Sequence, residues 1–511
     1  MRLSTKHANQ QIIELNQFVG GLNSTSTEET IADNQLAEAV NVEIDSLSGL
    51  LRCVAGTVTC FELGNEVEHD IVSAAYDRLN KTLLLFLKCG LVLGTTDMAT
   101  YLPIGHLSGQ ESVFTALWED GLLIASGGKL QYSAGLQMKT IETSPSICKG
   151  VYVRSGRVFT YDDEDTVRFS AVGDETNWEQ DSNDASASVF VQVGYKAGGK
   201  IIGLVNMSSD MLILKDNNMA FRLVGDYPEW EIKEVSRNIQ CKGPMAYCSV
   251  TNNVFVVGLS DIQTIQTTQD YGDMKASNIA SNVAKEVARL DSTMKLRYLP
   301  SLNQIWGIGK DGFVLVYDAT VNAFFTRRFN SEVVDALCID DMVYVIKKNE
   351  VCRLDDLSFS DNKEPLSFRF RTKCNISHND YLIKRVECGT TITSFANSSS
   401  WDNYLHVGNM RFDIPSDVYR LWNVHYNYHK IFRNGDSLMG KAYKPIYNSG
   451  RVGVYGEDAD LFDNSTLLYP ARSMYLLDRR IRYRDKALKV YCHGRGIRYT
   501  FNTIKLDIVE V

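Results

Sequence analysis

Residues 307–312, GIGKDG, match the G-x-G-x-x-G fingerprint of dinucleotide-binding folds. In those folds a strand precedes the glycines and a helix follows them, so that the pyrophosphate meets the N-terminus of the helix. Here residues 313–318 are mostly apolar and favour a strand, which makes residues 310–312 typical of a hairpin turn. We therefore predict no nucleotide cofactor at this stretch.

Two histidines, His425 and His429, have the i, i+4 spacing of a helical zinc site. A zinc protease would have Glu directly after the first histidine, whereas Tyr426 stands there. The acidic run at 162–165, DDED, lacks the ligand alternation and the fixed glycine of a helical calcium loop, and it is typical of a hairpin tip. No Cys-x-x-Cys pair is present. We predict no catalytic, cofactor-binding or metal-binding residue, and we interpret the protein as a non-enzyme.

The strongest charge feature is the run RRIRYRDKALKV at 479–490, with Arg479, Arg480, Arg482 and Arg484. Residues 471–511 contain ten Lys and Arg against four Asp and Glu, a balance of +6, whereas the whole chain carries −9. Basic residues interleaved with tyrosine can line a nucleic-acid surface. They can also form an edge or solvent face whose arginines pair with acidic residues of another subunit, which is the interpretation we favour, and the nucleic-acid surface is the alternative.

Composition excludes several classes of protein. The net charge of −9 argues against a protein that coats nucleic acid non-specifically. The N-terminus lacks the apolar stretch of a signal peptide, and the longest aliphatic run, 83–87, is too short to span a bilayer. The eleven cysteines include no close pair, so we expect folding in a reducing cytoplasm.

The stretch 191–235 shows how the elements of this chain are organised. It contains four short apolar runs separated by turn residues such as Asp216-Asn217-Asn218 and Gly225-Asp226-Tyr227-Pro228. Asn and Asp tolerate left-handed backbone and Pro presets φ, so such punctuation indicates an antiparallel meander. Four strands in roughly 40 residues is the size of one β-propeller blade.

The same pattern recurs along the chain, which predicts an all-β fold built on a propeller. Apolar runs begin near residues 71, 113, 151, 201, 245, 294 and 335, at spacings of 38 to 50 residues. Such spacing is typical of a radially repeated sheet, with seven blades favoured and six the alternative. The first and last units show about three strands each. Because a propeller ring is often closed by a strand from the other end of the chain, the N-terminal region is a candidate to complete a blade.

We predict three regions: an N-terminal arm over 1–65, the propeller over 66–360, and a β-rich C-terminal or tip domain with long loops over 361–511. Two helices are predicted within them. Residues 34–40 favour a short helix capped by Asp33. Residues 276–290 place Ile279, Val283, Val287 and Leu290 on one helical face, which is typical of a helix between blades.

Several motifs, in order along most of the chain, resemble the tail-nozzle or packaged-DNA stabilisation proteins of short-tailed bacteriophages. They are GGLN at 20–23, GLLR at 49–52, RFSAVGDETNW at 168–178, VGYKAGGKIIGL at 193–204, LILKDNNMAFRLVGDYPEW at 212–230, VSRNIQCKGPMA at 235–246 and the terminal RYRDKALKVY. The residues that carry the resemblance, which we expect to be structural, are Gly20, Gly21, Asn41, Gly49, Arg52, Trp178, Gly199, Lys215 and Trp230.

The resemblance implies a structural role in a virion tail that is assembled in the bacterial cytoplasm. Such proteins form a homo-oligomer, here favoured as a hexamer, below the portal and its adaptor or connector ring. Implied partners are tail needle or fibre proteins and the double-stranded genome, which the ring retains and later lets pass. An acidic lumen would let DNA slide without sticking. The alternatives are a propeller-fold tail enzyme that degrades glycans or binds a receptor, and a cellular interaction scaffold.

Overall fold

The computed structural model describes residues 10–15, 17–64, 70–181, 183–207, 210–267, 274–361, 364–395, 402–414, 444–448, 451–455 and 473–510. The chain divides into two compact units. The propeller unit consists of Thr59–Tyr317 and Ser331–Arg353. The terminal unit consists of Met1–Val58, Asp318–Asn330 and Leu354–Val511. The first 58 residues therefore belong to one unit with the C-terminal region, whereas the sequence suggested a separate arm.

The propeller unit is built from seven antiparallel sheets, which we number I to VII in chain order. Five of them are complete four-stranded meanders: blade I (Ile71–Asp77, Thr82–Leu87, Leu91–Thr95, Leu102–His106), blade II (Phe114–Trp118, Gly121–Ala125, Gln131–Ala134, Gln137–Thr140), blade III (Val151–Arg154, Arg157–Tyr161, Thr166–Phe169, Val189–Gln192), blade IV (Ile201–Met207, Asp210–Lys215, Ala220–Val224, Glu231–Ser236) and blade V (Tyr247–Val250, Asn253–Val257, Ile262–Thr267, Met274–Asn278). The prediction of a propeller with seven blades favoured is confirmed.

Blade VI consists of Lys295–Leu299, Gln304–Ile308 and Phe313–Asp318, which lie in the propeller unit up to Tyr317. The next strand, Ala323–Arg328, belongs to the terminal unit. Blade VII contains Val333–Ile339, Met342–Lys347, Glu350–Asp355 and, as its fourth strand, Gly56–Glu62.

The ring is closed by this N-terminal strand, as the sequence suggested. Leu63 N donates to Asn349 O over 2.8 Å, and the Thr59 hydroxyl donates to Glu350 Oε2 over 3.0 Å. Phe61 lies in an apolar cluster that joins blade VII to Ile71 of blade I. Blade I contains four strands of its own and takes no strand from another region of the chain. The expectation that the first unit has about three strands was therefore wrong.

Neighbouring blades pack through their apolar faces. Between blades III and IV, Phe159 and Phe169 pack with Ile213 and Phe221. Each such side chain is nearly fully buried, and burial of one contributes about 1.5–3 kcal/mol. Apolar residues on alternate positions of short strands thus hold neighbouring blades together.

The predicted helix at 276–290 is present in a shorter form. Met274–Asn278 is the fourth strand of blade V, followed by a 3₁₀ turn, Ser281–Val283, and the helix Ala284–Arg289. Val283, Val287 and Leu290 are buried, as the 3.6-residue periodicity requires. The first residues of the predicted stretch pair with Ile262–Thr267 instead, because a strand partner was available.

The terminal unit contains two larger sheets. One orders the strands Val42–Ile44, Leu51–Cys53, Ile497–Glu510, Asn375–Phe395 and Ser473–Leu488, with Gln10–Glu14 also paired to Ile497–Glu510. The other contains Ala323–Arg328, Gln35–Val40, Ser367–Thr372, Val490–Arg495, Tyr404–Val407 and Met410–Asp413, with Gly21–Leu22 parallel to Gln35–Val40. Its described residues also form two short hairpins, Ser360–Asp361 with Glu364–Pro365 and Lys444–Asn448 with Arg451–Tyr455.

The predicted helix at 34–40 is wrong. Residues Gln35–Val40 form a strand that pairs antiparallel with Ser367–Thr372, and Leu36 and Ala39 are buried. Gln, Leu, Ala and Glu favour helix locally, but propensity is worth less than one kcal/mol per residue. Pairing with a distant strand outweighs it.

In the part of the chain that is described, no helix has the length and apolar character needed to cross a bilayer.

Candidate functional site

A cavity of about 340 Å³ lies where four blades begin their first strands. Its lining includes Ser73 of blade I, Val113 just before blade II, Met245 just before blade V, and Lys295 of blade VI. We call it the axial cavity. The side chains that line it include one carboxylate, Glu111, and no aromatic ring. A glycan-degrading enzyme needs two carboxyl groups at a defined separation, and this lining does not supply them.

A buried ionic cluster stands beside the axial cavity. The fully buried carboxylate of Asp335, in blade VII, accepts from Lys295 Nζ over 3.0 Å, from Arg297 Nε over 2.7 Å and from Arg297 Nη2 over 3.1 Å. The Ser73 hydroxyl of blade I also donates to it, over 2.9 Å. Lys295 Nζ in turn donates to Val72 O over 2.6 Å. One carboxylate therefore links blades I, VI and VII.

The charge state of Asp335 follows from this geometry. Burial by itself raises the pKa of the carboxyl, but Arg297 and Lys295 outweigh burial and hold the pKa below its usual range. An ionised carboxylate that already accepts several hydrogen bonds is not a free general base. The cluster is structural, and the sequence offered no signal for it because the three residues lie up to 40 positions apart.

The turn-like motifs lie where the sequence interpretation put them. Residues 307–312 end the strand Gln304–Ile308 and turn into the strand Phe313–Asp318, with Gly309 N donating to Phe313 O over 2.9 Å and Asp311 at φ +54°. The acidic run 162–165 lies between the strands Arg157–Tyr161 and Thr166–Phe169, and Asp163 forms an ion pair with Lys149. Both are hairpin turns. His425 and His429 lie outside the described residues.

In the terminal unit, Asn41 lies at a junction between strands. Its Nδ2 donates to Arg328 O over 3.0 Å and to Ser367 O over 2.7 Å, and its Oδ1 accepts from Arg328 N over 2.8 Å. The residue is 2% exposed and has a left-handed φ of +54°, which Asn tolerates. Its amide side chain therefore replaces backbone pairing between separate segments.

The other N-terminal motif residues also organise backbone. A Cβ added to Gly21 would lie 2.7 Å from the Ala323 Cβ, and one added to Gly20 would lie 2.9 Å from Asn34 O, so both positions exclude side chains. Gly49 lies in the turn before Leu51–Cys53. Arg52 pairs over 3.0 Å with each of two carboxylates, those of Glu43 and Asp45.

The motif residues of the propeller unit are likewise dispersed. The Trp178 indole donates to Glu175 O over 2.7 Å, and Gly199, at φ +78°, precedes the first strand of blade IV. Lys215 is fully buried, and its Nζ donates to Val193 O over 3.0 Å. Burial lowers the pKa of this amine. Trp230 packs edge-on against Phe169 with ring centroids 4.5 Å apart. These residues do not converge on one site.

The basic residues lie on the strand Ser473–Leu488, the last strand in its sheet order. Arg479 and Arg480 are exposed. In the pairing with Asn375–Phe395, Arg480 stands opposite Arg385, and Arg484 stands opposite Leu382. Arg482 lies on the same strand, and the side chains of Arg482 and Arg484 are outside the described part. The basic residues identified in the sequence therefore lie along one strand, which is the last in its sheet order.

One group of potential metal ligands occurs among the described residues, formed by Glu28, Glu29 and Cys374. The Glu28 carboxylate is engaged by Lys489 at 3.0 Å and by Arg371 at 3.4 Å. Burial raises the pKa of the Cys374 thiol, so the thiolate that a metal requires is disfavoured. This group does not support a metal centre.

None of the protein-family models matches the chain, and no curated protein matches it. Similar solved structures include the WD40 β-propeller domain of Doa1, with 12% identity, a TM-score of 0.39, and coverage of 59% of this chain and 97% of that chain. YCF48 bound to D1 peptide has 10% identity and a TM-score of 0.38, covering 59% and 94%. The extracellular domain of BT4673 from B. thetaiotaomicron has 11% identity and a TM-score of 0.44, covering 70% and 56%.

Proposed function

We propose that the protein is a structural subunit of a phage tail nozzle, a ring that retains packaged DNA and conducts it during ejection. The observation that carries the proposal is the role of the motif residues. Gly20, Gly21 and Asn41 act on the backbone or on the pairing of distant segments, and Arg52 forms ion pairs within its own hairpin, with Glu43 and Asp45. A resemblance carried by such residues is one of architecture, and architecture is what a conduit requires.

The dimensions of the axial cavity bear on where DNA would pass. A volume of 340 Å³ corresponds to a space about 7 Å across. The major groove of B-DNA alone is about 12 Å wide. The axial cavity is therefore too small to hold duplex DNA, and we infer that a conduit for DNA would be enclosed by several subunits. This supports a homo-oligomer, with a hexamer as the form that the resemblance implies.

The strand Ser473–Leu488 supplies a candidate contact for assembly. It lies at the end of its sheet order and carries exposed Arg479 and Arg480. An end strand offers backbone groups to a neighbour, and charges on it restrict which neighbour can pair. An acidic face of the next subunit, or DNA phosphates, would complement it.

Electron microscopy of the purified protein, alone and mixed with a portal–adaptor complex, tests the proposal. We expect rings that cap the complex. A protein that stays monomeric and never caps the complex contradicts it. Incubation with polysaccharide from the bacterial host separates the alternative, because release of shorter glycans would identify a tail enzyme instead.

A further inference from the structure

A second cavity, of about 380 Å³, lies between blades III and IV, away from the axial cavity. Its walls are the turn around Ser155, the loop at 185–186, and the turn that carries Asp226, Tyr227 and Trp230. We call it the seam cavity. Its volume is at the lower end of the range for small-molecule sites, about 300–1,000 Å³.

A buried cation lines the seam cavity: among the described residues no carboxylate lies within ion-pair distance of it, and Asp184 acts on it only electrostatically from farther away. Arg157 is 4% exposed and lines the cavity. Its Nη1 donates to Ser170 O and Ala187 O, each over 2.7 Å, and its Nη2 donates to Ala185 O over 2.6 Å. A guanidinium has five N–H donors, so Nε–H and one Nη2–H have no protein acceptor in the described part.

Aromatic rings hold this cation in place. The Arg157 guanidinium lies 5.2 Å from the Phe169 ring centroid and 5.5 Å from that of Tyr227. Trp230 packs against both rings, with centroids 4.5 and 5.3 Å away. A cation fixed in this way is preorganised, which reduces the entropy lost when it binds an anion.

Two further hydrogen-bonding groups of the cavity are unused. The Tyr227 hydroxyl and the Trp230 indole N–H make no hydrogen bond to any described residue, although both residues line the cavity. Asp226 is engaged at the rim, where its carboxylate accepts from the Ser155 hydroxyl and lies 3.8 Å from Arg154 Nη2. The unused groups can therefore all donate, and they share a cavity whose lining includes the aromatic residues Phe159, Tyr227 and Trp230.

We propose that the seam cavity binds one acidic sugar unit, a pyranose that carries a carboxylate. The carboxylate would meet the free donors of Arg157, for which a planar anion is the best acceptor. Ring hydroxyls would accept from the Tyr227 hydroxyl and the Trp230 N–H. The apolar face of the sugar would lie on the aromatic rings. Such recognition is independent of a role as a DNA conduit.

Titration of the full chain with methyl β-D-glucuronide and methyl β-D-glucoside, followed by ligand-observed NMR and calorimetry, tests the proposal. The two probes differ only in the carboxylate. We expect the glucuronide to bind with a dissociation constant on the order of 1 mM. This corresponds to about 0.3 kcal/mol of binding free energy for each of its roughly 14 non-hydrogen atoms, which is a typical value. The glucoside should bind about tenfold more weakly, because it loses a charge-assisted hydrogen bond. Equal affinity for both, or no binding of the glucuronide, would overturn the proposal.

Substitutions in and away from the seam cavity test whether the glucuronide binds there. Val172 lines the cavity and is 51% exposed, so Val172→Trp should fill the space without unfolding the blade and should abolish binding. Leu259→Trp is the matched control, at a residue that is 65% exposed in blade V, and should bind as the wild type does. Arg157→Lys keeps the positive charge but removes the planar guanidinium, whose N–H donors match a carboxylate. It should weaken binding of the glucuronide about tenfold. Undiminished binding by Val172→Trp or Arg157→Lys refutes the assignment.

Discussion

Replacement of Asp335 by Asn should destabilise the propeller strongly. The substitution keeps the shape of the side chain and removes its charge, leaving Lys295 and Arg297 next to a neutral amide. Asp335 is fully buried and Lys295 is 9% exposed. Removal of one partner from a buried ion pair costs about 3–5 kcal/mol, because the remaining charge is uncompensated. For a unit of this size, each kcal/mol lowers Tm by about 2–4 °C, so we expect a decrease of about 6–20 °C.

The matched control is Asp340→Asn, which makes the same change in charge five residues away. Asp340 is exposed in the turn after Val333–Ile339, at a φ of +46° that Asn also tolerates. Thermal unfolding measures both variants, and hydrogen exchange should report faster opening of the first strands of blades I, VI and VII in Asp335→Asn. A Tm of Asp335→Asn within about 1 °C of the Asp340→Asn value would refute the assignment of Asp335 as the link between three blades.

The difference in unfolding free energy between wild type and Asp335→Asn should depend on pH in a definite direction. The folded-state pKa of Asp335 lies below that of the unfolded chain, which is about 3.9. Its contribution to stability is therefore fully present above the unfolded pKa and is lost as pH falls through the folded pKa. The difference in unfolding free energy between wild type and Asp335→Asn should be constant from pH 8 to about pH 5 and should narrow below about pH 4.

Three further predictions concern the terminal unit, the ring closure and assembly. Asn41→Ala should lower the free energy of unfolding of the terminal unit by about 2–4 kcal/mol in denaturant titrations, because it removes three hydrogen bonds and leaves a left-handed backbone; a loss below 0.5 kcal/mol would contradict its role. Phe61→Ala should cost about 3–5 kcal/mol and raise hydrogen exchange in blades VII and I, and exchange confined to other blades would argue against closure by this strand. Arg479→Glu should impair ring formation in electron micrographs, whereas Lys486→Glu, also exposed on the same strand, is the control. Normal rings that leak genome would show instead that Arg479 contacts DNA.

The blades were predictable because their information is local. Alternation of apolar residues and turn residues such as Asn218 and Asp311 determines a strand and its hairpin within ten residues. Seven repeats of that pattern indicate a propeller ring, even when the pairing partner of each strand is unknown. The helix near Ala284 was also predictable, since Val283, Val287 and Leu290 carry their own period.

The segment Gln35–Val40 was mispredicted for the opposite reason. Its residues favour helix, and only Ser367–Thr372, more than 300 positions later, makes it a strand. The candidate sites also depend on residues that are distant in the sequence. Arg157 and Trp230 are separated by 73 positions, and nothing in the local pattern of either indicates a shared cavity.

The sequence by itself determined the class of fold, the number of repeats favoured and the turn positions, because each depends on neighbours within one hairpin. Tertiary structure alone decided which charges are buried together at Asp335, which residues of the N-terminal region form the closing strand, and which donors are left unused in the seam cavity. Those properties depend on contacts between blades, where burial and desolvation set the energies, and no spacing along the chain records them.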